Sequence, residues 1–271
     1  MNTTTKSRPD LVQLLDLALL ACQEASREIL EVYSSGATNI FDKSDGSPIT
    51  DADLRAHATI TSLLSASGLP VLSEEAVVPF EERCNWKSFW LVDPLDGTKD
   101  FIARNDEFTV NIALIEDGSP VLGVVAAPAL NRTWYGSGGG GAWEICAGKK
   151  MQISALAPWP VESRMFTSYF HDVPASMEFR RLNGIVHTFS AGAASKLARI
   201  AASEAEFYPR FVGTSEWDTA AGDAILREAG GSMRTISGAL PTYNKPSLRN
   251  PFFVAWRPPV RWEDIKMAAF D

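Results

Sequence analysis

Cysteine and histidine are scarce, with three of each in 271 residues. Cys22, Cys84 and Cys146 form no C-x-x-C pair and leave an odd number, which argues against a disulfide framework and fits reduced cytosolic thiols. His57, His171 and His187 are too scattered to suggest a zinc motif. No apolar run reaches the ~18–20 residues of a membrane span. The most apolar N-terminal stretch, Leu11 to Cys22, is broken by Gln13 and Asp16. The polar start, Met1 to Asp10, has no apolar core before a small-residue cleavage site, so secretion is not expected. Positive charge is also in deficit. The 25 basic and 33 acidic residues give a net charge of −8, which argues against a nucleic-acid polymer as partner. The expected location is the cytoplasm, with peripheral contact at the inner membrane left open.

Several nucleotide and nucleophile motifs are missing as well. Gly136 to Gly141 fits G-x-G-x-x-G, but Trp143-Glu144 follows in place of a helix. Gly148-Lys149-Lys150 lacks the Walker spacing, and there is no G-x-S-x-G elbow.

With 45% hydrophobic and 21% charged residues, the chain can bury a sizeable core. Residues 10–33 read as an amphipathic helix capped by Asp10, and a Gly/Asp/Ser-rich loop runs from Ser34 to Pro48. A second helix opens at Thr50-Asp51-Ala52-Asp53 and reaches about Leu64, with Thr50 and Asp53 at capping-box spacing. Short apolar runs then predict strands at 70–72 and 89–92, a hairpin of 108–115 with 121–126, and a strand from Trp134 turning through Gly136 to Gly141. In the second half, strands are expected at 165–168, 206–208 and 252–256, and helices at 193–202, 217–229 and 259–270. The mixture predicts a layered α/β or α+β fold in two joined halves, 1–155 and 156–271.

The strongest local feature is Asp93-Pro94-Leu95-Asp96-Gly97-Thr98, which follows an apolar strand. Two carboxylates this close repel unless a cation neutralises them. An acidic turn with Asp96 capping a helix is the alternative. Glu74-Glu75, after another apolar strand, reads alone as solvated surface, and Asp218 reads alone as a carboxylate on a helix dipole. Function enters if the three acidic sites meet in one crevice at the strand ends. Hard oxygen donors without a Cys or His cluster suit Mg2+. Two such ions suit phosphoryl transfer to water.

Taken in order, Pro48-Ile49-Thr50-Asp51-Ala52-Asp53, Leu72-Ser73-Glu74-Glu75, Asp93 to Thr98 and Trp217-Asp218-Thr219-Ala220-Ala221-Gly222 resemble the inositol monophosphatase superfamily. That resemblance implies an αβαβα layered fold and an Mg2+-dependent, lithium-sensitive phosphatase. Within the superfamily, Val78 to Arg83 before Trp86, Tyr208-Pro209-Arg210-Phe211 and Leu248-Arg249-Asn250-Pro251 resemble the CysQ-type 3'(2'),5'-bisphosphate nucleotidases. The substrate this implies is adenosine 3',5'-bisphosphate, cleaved to AMP and phosphate as a by-product of sulfate assimilation is recycled.

The resemblance also implies roles. Glu74, Asp93 and the carbonyl of Leu95 would hold one Mg2+, and Asp93, Asp96 and Asp218 the second, with a third, weaker ion near Glu74. Asp53 and Thr98 would orient and deprotonate the attacking water, although Asp53 also fits a purely capping role. Backbone N–H groups of Gly97 and Thr98 would cradle the phosphate, while His171, Lys196 and Arg210 would contact the nucleotide. Solvated side chains are the alternative for these last three.

Two departures stand out. Gly192-Ala193-Ala194-Ser195-Lys196 lacks two hydroxyls of the family's small-Ser-Ser-x-Lys loop. Phe211 stands where the inositol phosphatases carry a sugar-binding Glu, which disfavours inositol. Other small phosphate esters, or nucleotide binding without catalysis, are the rival readings.

Overall fold

The computed structural model describes residues 10–36, 39–42, 48–169 and 173–267. The first helix, α1 (Leu11–Ser35), starts where Asp10 accepts the N–H of Gln13 and stops at Gly36 in the left-handed region, φ 69°. Its apolar stripe, including Leu14, Ala18, Cys22, Ala25 and Ile29, is buried. Each large side chain on such a stripe contributes about 1.5–3 kcal/mol.

The short strands β1 (Ile40–Asp42) and β2 (Pro48–Thr50) pair antiparallel and lead into α2 (Asp51–Leu64). Then come β3 (Val71–Ser73), α3 (Phe80–Arg83), β4 (Ser88–Asp96), α4 (Thr98–Ala103), β5 (Thr109–Glu116), β6 (Ser119–Ala127), β7 (Arg132–Ser137), β8 (Ala142–Cys146) and β9 (Lys149–Ile153). Strands β3 to β9 form one seven-stranded sheet in chain order, antiparallel except for the parallel β3–β4 pair.

The second half comprises β10 (Arg164–Thr167), α5 (Pro174–Leu182), β11 (His187–Ser190), α6 (Ser195–Ala201), β12 (Phe207–Arg210), β13 (Thr214–Ser215), α7 (Ala220–Glu228), β14 (Ser232–Thr235), β15 (Arg249–Asn250) and β16 (Phe253–Trp256). Five of these strands make a second sheet, ordered β11-β10-β12-β16-β14, while β13 and β15 form a separate ladder.

Helices α1 and α2 pack on one face of the large sheet, and α6 and α7 fill the space between the sheets. Helix α5 covers the far face of the small sheet. The layers therefore run αβαβα. Gly123 on β6 lets α7 approach closely, because a Cβ there would lie 2.2 Å from the carbonyl oxygen of Ala221. No helix among the described residues is long and apolar enough to cross a membrane.

Three expectations need correction. The helix expected at 217–229 is broken: Glu216–Asp218 is a 3-10 turn, and α7 begins only after Thr219 leaves helical geometry at φ −123°. The helix expected at 259–270 is replaced by a 3-10 turn, Trp262–Asp264, with 265–267 irregular and 268–270 outside the described residues. There the Trp262 ring packs on Trp256 at 5.7 Å, and Arg261 binds Asp264, which favours a tight turn over a continuing helix. The loop expected at 34–48 contains the β1–β2 pairing, with 37–38 and 43–47 outside the described residues. Strands β8, β9, β11, β13, β14 and β15 and helices α3 and α5 have no counterpart among the expected elements; β9 and β11 are largely exposed and short of apolar residues.

Candidate active site

The carboxylates of Asp93 and Asp96 are aimed by an irregularity in β4. Asp93 pairs with Asn111 and Asp96 with Thr109, so one extra residue is inserted on the β4 side. Such a bulge bends the strand and tolerates Pro94, which has no N–H for the ladder. Gly97 follows at φ 86°, the left-handed region that an L side chain rarely adopts. Asp93 is 1% exposed, and its Oδ1 accepts the N–H of Leu95 at 3.1 Å. Asp96 accepts Asn111 Nδ2 at 3.3 Å, and Asn111 is itself held by Thr109 Oγ1 at 2.9 Å.

Glu74 follows β3 directly, its N–H bonded to the carbonyl of Val92 on β4 at 3.1 Å. Asp218 comes from the other half of the chain. Ser215, at the end of β13, donates its N–H to Asp218 Oδ2 at 2.8 Å, and Asn250 Nδ2 ties Ser215 to Thr219. The break before α7 thus turns Asp218 back toward β4. One carboxylate oxygen each of Glu74, Asp93 and Asp218 lie within 4.8 Å of one another.

These acids cannot all remain charged without compensation. Burial first, and then the charges of Glu74, Asp96, Asp218 and Asp53, push Asp93 well above the ordinary carboxylate range. Burial and Asp96 do the same to Asp218. Burial pushes Asp96 up to about 6, with Lys196 opposing. A set of oxygen donors that repel one another at this spacing fits a hard divalent cation. Glu74, Asp93 and Asp218 form the tight group; Asp96 and Leu95 line the same cleft without belonging to it. Leu95 O also accepts Thr98 Oγ1 at 3.4 Å.

Asp53 divides its two oxygens between the helix cap and Thr98. Oδ2 accepts Thr50 N at 2.8 Å and Thr50 Oγ1 at 2.6 Å, completing the capping box of α2. Oδ1 accepts Thr98 Oγ1 at 3.2 Å.

The cleft around these groups has a volume of about 330 Å³. Thr98, Gly97, Lys196 and Arg210 all line it. Lys196 is not the solvated lysine of the alternative reading. It is 2% exposed, and its Nζ donates to the carbonyls of Ala191 and Ala193 at 2.9 and 2.8 Å. Burial, aided by Arg210 and opposed by Asp96, brings its pKa down to about 8. Arg210 Nε is buried without a hydrogen-bond partner among the described residues. His171 lies outside the described residues.

The cleft wall also contains Ser168 and Phe253, which no motif points to, and Tyr208 and Arg249, which the sequence offers only as parts of resembling segments; Asn111 stands behind Asp96. For Asn111 the signal was present: a buried amide amid the apolar run of β5 has to find partners.

The sequence pattern of the inositol monophosphatase family matches residues 10–257. The 3'(2'),5'-bisphosphate nucleotidase CysQ of Escherichia coli (strain K12) is 40% identical over 247 residues, covering 89% of this chain and 98% of that protein. The CysQ nucleotidase of Salmonella typhimurium is 41% identical over the same shares. Among solved structures, CysQ from Bacteroides thetaiotaomicron, described as a bacterial member of the inositol monophosphatase family, aligns with a TM-score of 0.83 at 34% identity over 91% of this chain and 98% of that one.

Proposed function

The chain belongs to the inositol monophosphatase family, and from its site we propose that it is an Mg2+-dependent 3'(2'),5'-bisphosphate nucleotidase. In this reading it removes the 3'-phosphate of adenosine 3',5'-bisphosphate, leaves AMP and phosphate, and serves sulfate assimilation. One observation carries the proposal: Glu74, Asp93 and Asp218 converge within 4.8 Å in the cleft that Thr98 lines, with Thr98 bonded to Asp53.

Glu74, Asp93, Asp218 and, at the edge, Asp96 and the Leu95 carbonyl would hold two Mg2+ ions, with a third and weaker one beside Glu74. Bound there, Mg2+ supplies positive charge to the ester oxygens and makes water more acidic.

The chain's own groups do the rest. Thr98 lines the cleft and its Oγ1 donates to Asp53, which frees its lone pairs to accept a proton from the attacking water. That proton passes to Thr98 as the threonine proton moves to Asp53, whose other oxygen is fixed by Thr50. The water oxygen bonds to phosphorus in line with the breaking P–O3' bond, the configuration at phosphorus inverts, and O3' leaves as the 3'-hydroxyl by taking a proton from solvent water while Asp53 returns its own to solvent. Backbone N–H groups of Gly97 and Thr98 receive the phosphate, and Arg210 and Lys196 face the nucleotide. The unpartnered Arg210 Nε supports an anionic ligand there.

Phe211 weighs against an inositol phosphate. It is buried against Phe179 and Phe252, with centroids 5.9 and 6.5 Å away, and offers no hydrogen bond to a polyol. The test is phosphate release from adenosine 3',5'-bisphosphate and inositol 1-phosphate at saturating Mg2+. The nucleotide should have the higher kcat/KM. Nucleotide binding by calorimetry without phosphate release would favour a non-catalytic role.

A further inference from the structure

Helix α2 directs a second polar side chain toward the acidic cluster, one turn beyond Asp53. His57 lies four residues further on, so it shares the helix face of Asp53 about 6 Å along the axis. Its Nδ1 is 2.9 Å from Ser73 Oγ. Ser73 is the last residue of β3 and is 1% exposed. The Ser73 hydroxyl accepts the N–H of Glu75 at 3.4 Å, and its carbonyl accepts the N–H of Ala76 at 3.1 Å. Glu74 therefore sits inside a tight turn, 73–76, both of whose bonds close on Ser73.

A serine hydroxyl has one proton and two acceptor lone pairs, and one lone pair here takes the N–H of Glu75. The His57 contact holds the hydroxyl in either tautomer, with Nδ1 accepting its proton or an Nδ1–H donating to its second lone pair.

We propose that His57 is a positioning residue that locks the Ser73 hydroxyl, so that the 73–76 turn presents the Glu74 carboxylate in register with Asp93 and Asp218. One helix would then organise both sides of the chemistry, with Asp53 aligning Thr98 and His57 aligning Glu74. This inference rests on reading the three carboxylates as a divalent-cation site. His57 reaches the Glu74 turn through Ser73, so its removal should act on cation affinity. Partners that orient a ligand in this way cost about 10–100-fold in affinity when removed.

The experiment is Mn2+ titration of the full chain without substrate, followed by electron paramagnetic resonance, alongside thermal melting of the metal-free protein. His57→Ala should weaken Mn2+ binding by about 10-fold or more. Ser73→Ala should match it, and the double variant should be no worse than either single one, as for two members of one interaction. His57→Asn puts an amide oxygen near the place of Nδ1 and should restore most of the affinity, with Ala and Asn variants melting together when metal-free. If His57→Ala fails to fold, Ser73→Ala, which removes a single oxygen, carries the test. Unchanged Mn2+ affinity in the Ala variants, or equal weakness in Ala and Asn, overturns the inference while a weakened Glu74→Gln leaves the cation site standing. If Glu74→Gln binds Mn2+ as tightly as the wild type, the cation site itself is wrong.

Discussion

Thr98 Oγ1 lies 3.2 Å from Asp53 Oδ1, while the other oxygen of the same carboxylate caps helix α2. The pair joins the start of α2 to the start of α4, so the helix cap and the proposed water-activating dyad share one buried side chain. Thr98→Ala removes the proposed relay and should lower kcat by about 10²–10⁴-fold. Mn2+ affinity should stay near wild type, because Thr98 is outside the tight carboxylate group. Thr98→Ser keeps the hydroxyl and should recover much of the rate. Stopped-time phosphate assays on the three proteins check this.

Asp93→Asn should abolish turnover, by at least about 10²–10³-fold in kcat/KM, while the fold remains. Stability should move the other way. Burial and four neighbouring carboxylates raise the folded-state pKa of Asp93, so its ionisation above the ordinary carboxylate range opposes folding. Metal-free Asp93→Asn should therefore melt higher than wild type at neutral pH. The gain should shrink as the pH falls toward the range where Asp93 is protonated in both states. Melting curves across pH in a chelating buffer measure it.

How legible this was varies with range along the chain. The start of α2 could be read because Thr50 and Asp53 interact three residues apart. The Asp93–Thr98 motif was legible as chemistry, but its aim depends on the bulge against β5, a partner 15 residues away from Asp96 at Asn111. Convergence of Glu74 and Asp218 was an expectation; their closeness is set by the sheet on one side and the β13–β15 ladder on the other. Lys196 read as a solvated lysine or a ligand contact, since burial by a neighbouring loop leaves no local pattern. The expected helix at 259–270 failed for the same reason: the Trp262 contact with Trp256 is tertiary.

Arg210→Gln should raise KM for adenosine 3',5'-bisphosphate by about 10–100-fold, the size of one lost charge-assisted hydrogen bond. The effect on kcat should be smaller. A monoester without the second phosphate should lose less, so the ratio of kcat/KM for the two substrates reports the contact.

Away from the cleft, Glu206 neutralises Arg257, both with fully buried side chains, and Arg164 binds it from the other side. Burial pushes the Glu206 pKa up, but the Arg164 and Arg257 hydrogen bonds outweigh it and hold the group below its ordinary 4.5. Its folded-state pKa is depressed, so its contribution is present above about pH 4.5 and is lost as pH falls through the lower folded value. Glu206→Gln should cost about 3–5 kcal/mol at neutral pH, because Arg257 stays buried without its counter-charge. Urea unfolding at pH 7 and pH 3 should show that difference narrowing in acid.

Anomalous diffraction from crystals soaked in Mn2+ tests the central claim most directly. A peak bonded to oxygens of Glu74, Asp93 and Asp218 is expected, at the roughly 2.0–2.3 Å of a hard divalent cation, and it should be lost in Asp218→Asn. No peak among these three residues at saturating Mn2+, or one that persists unchanged in Asp218→Asn, would contradict it.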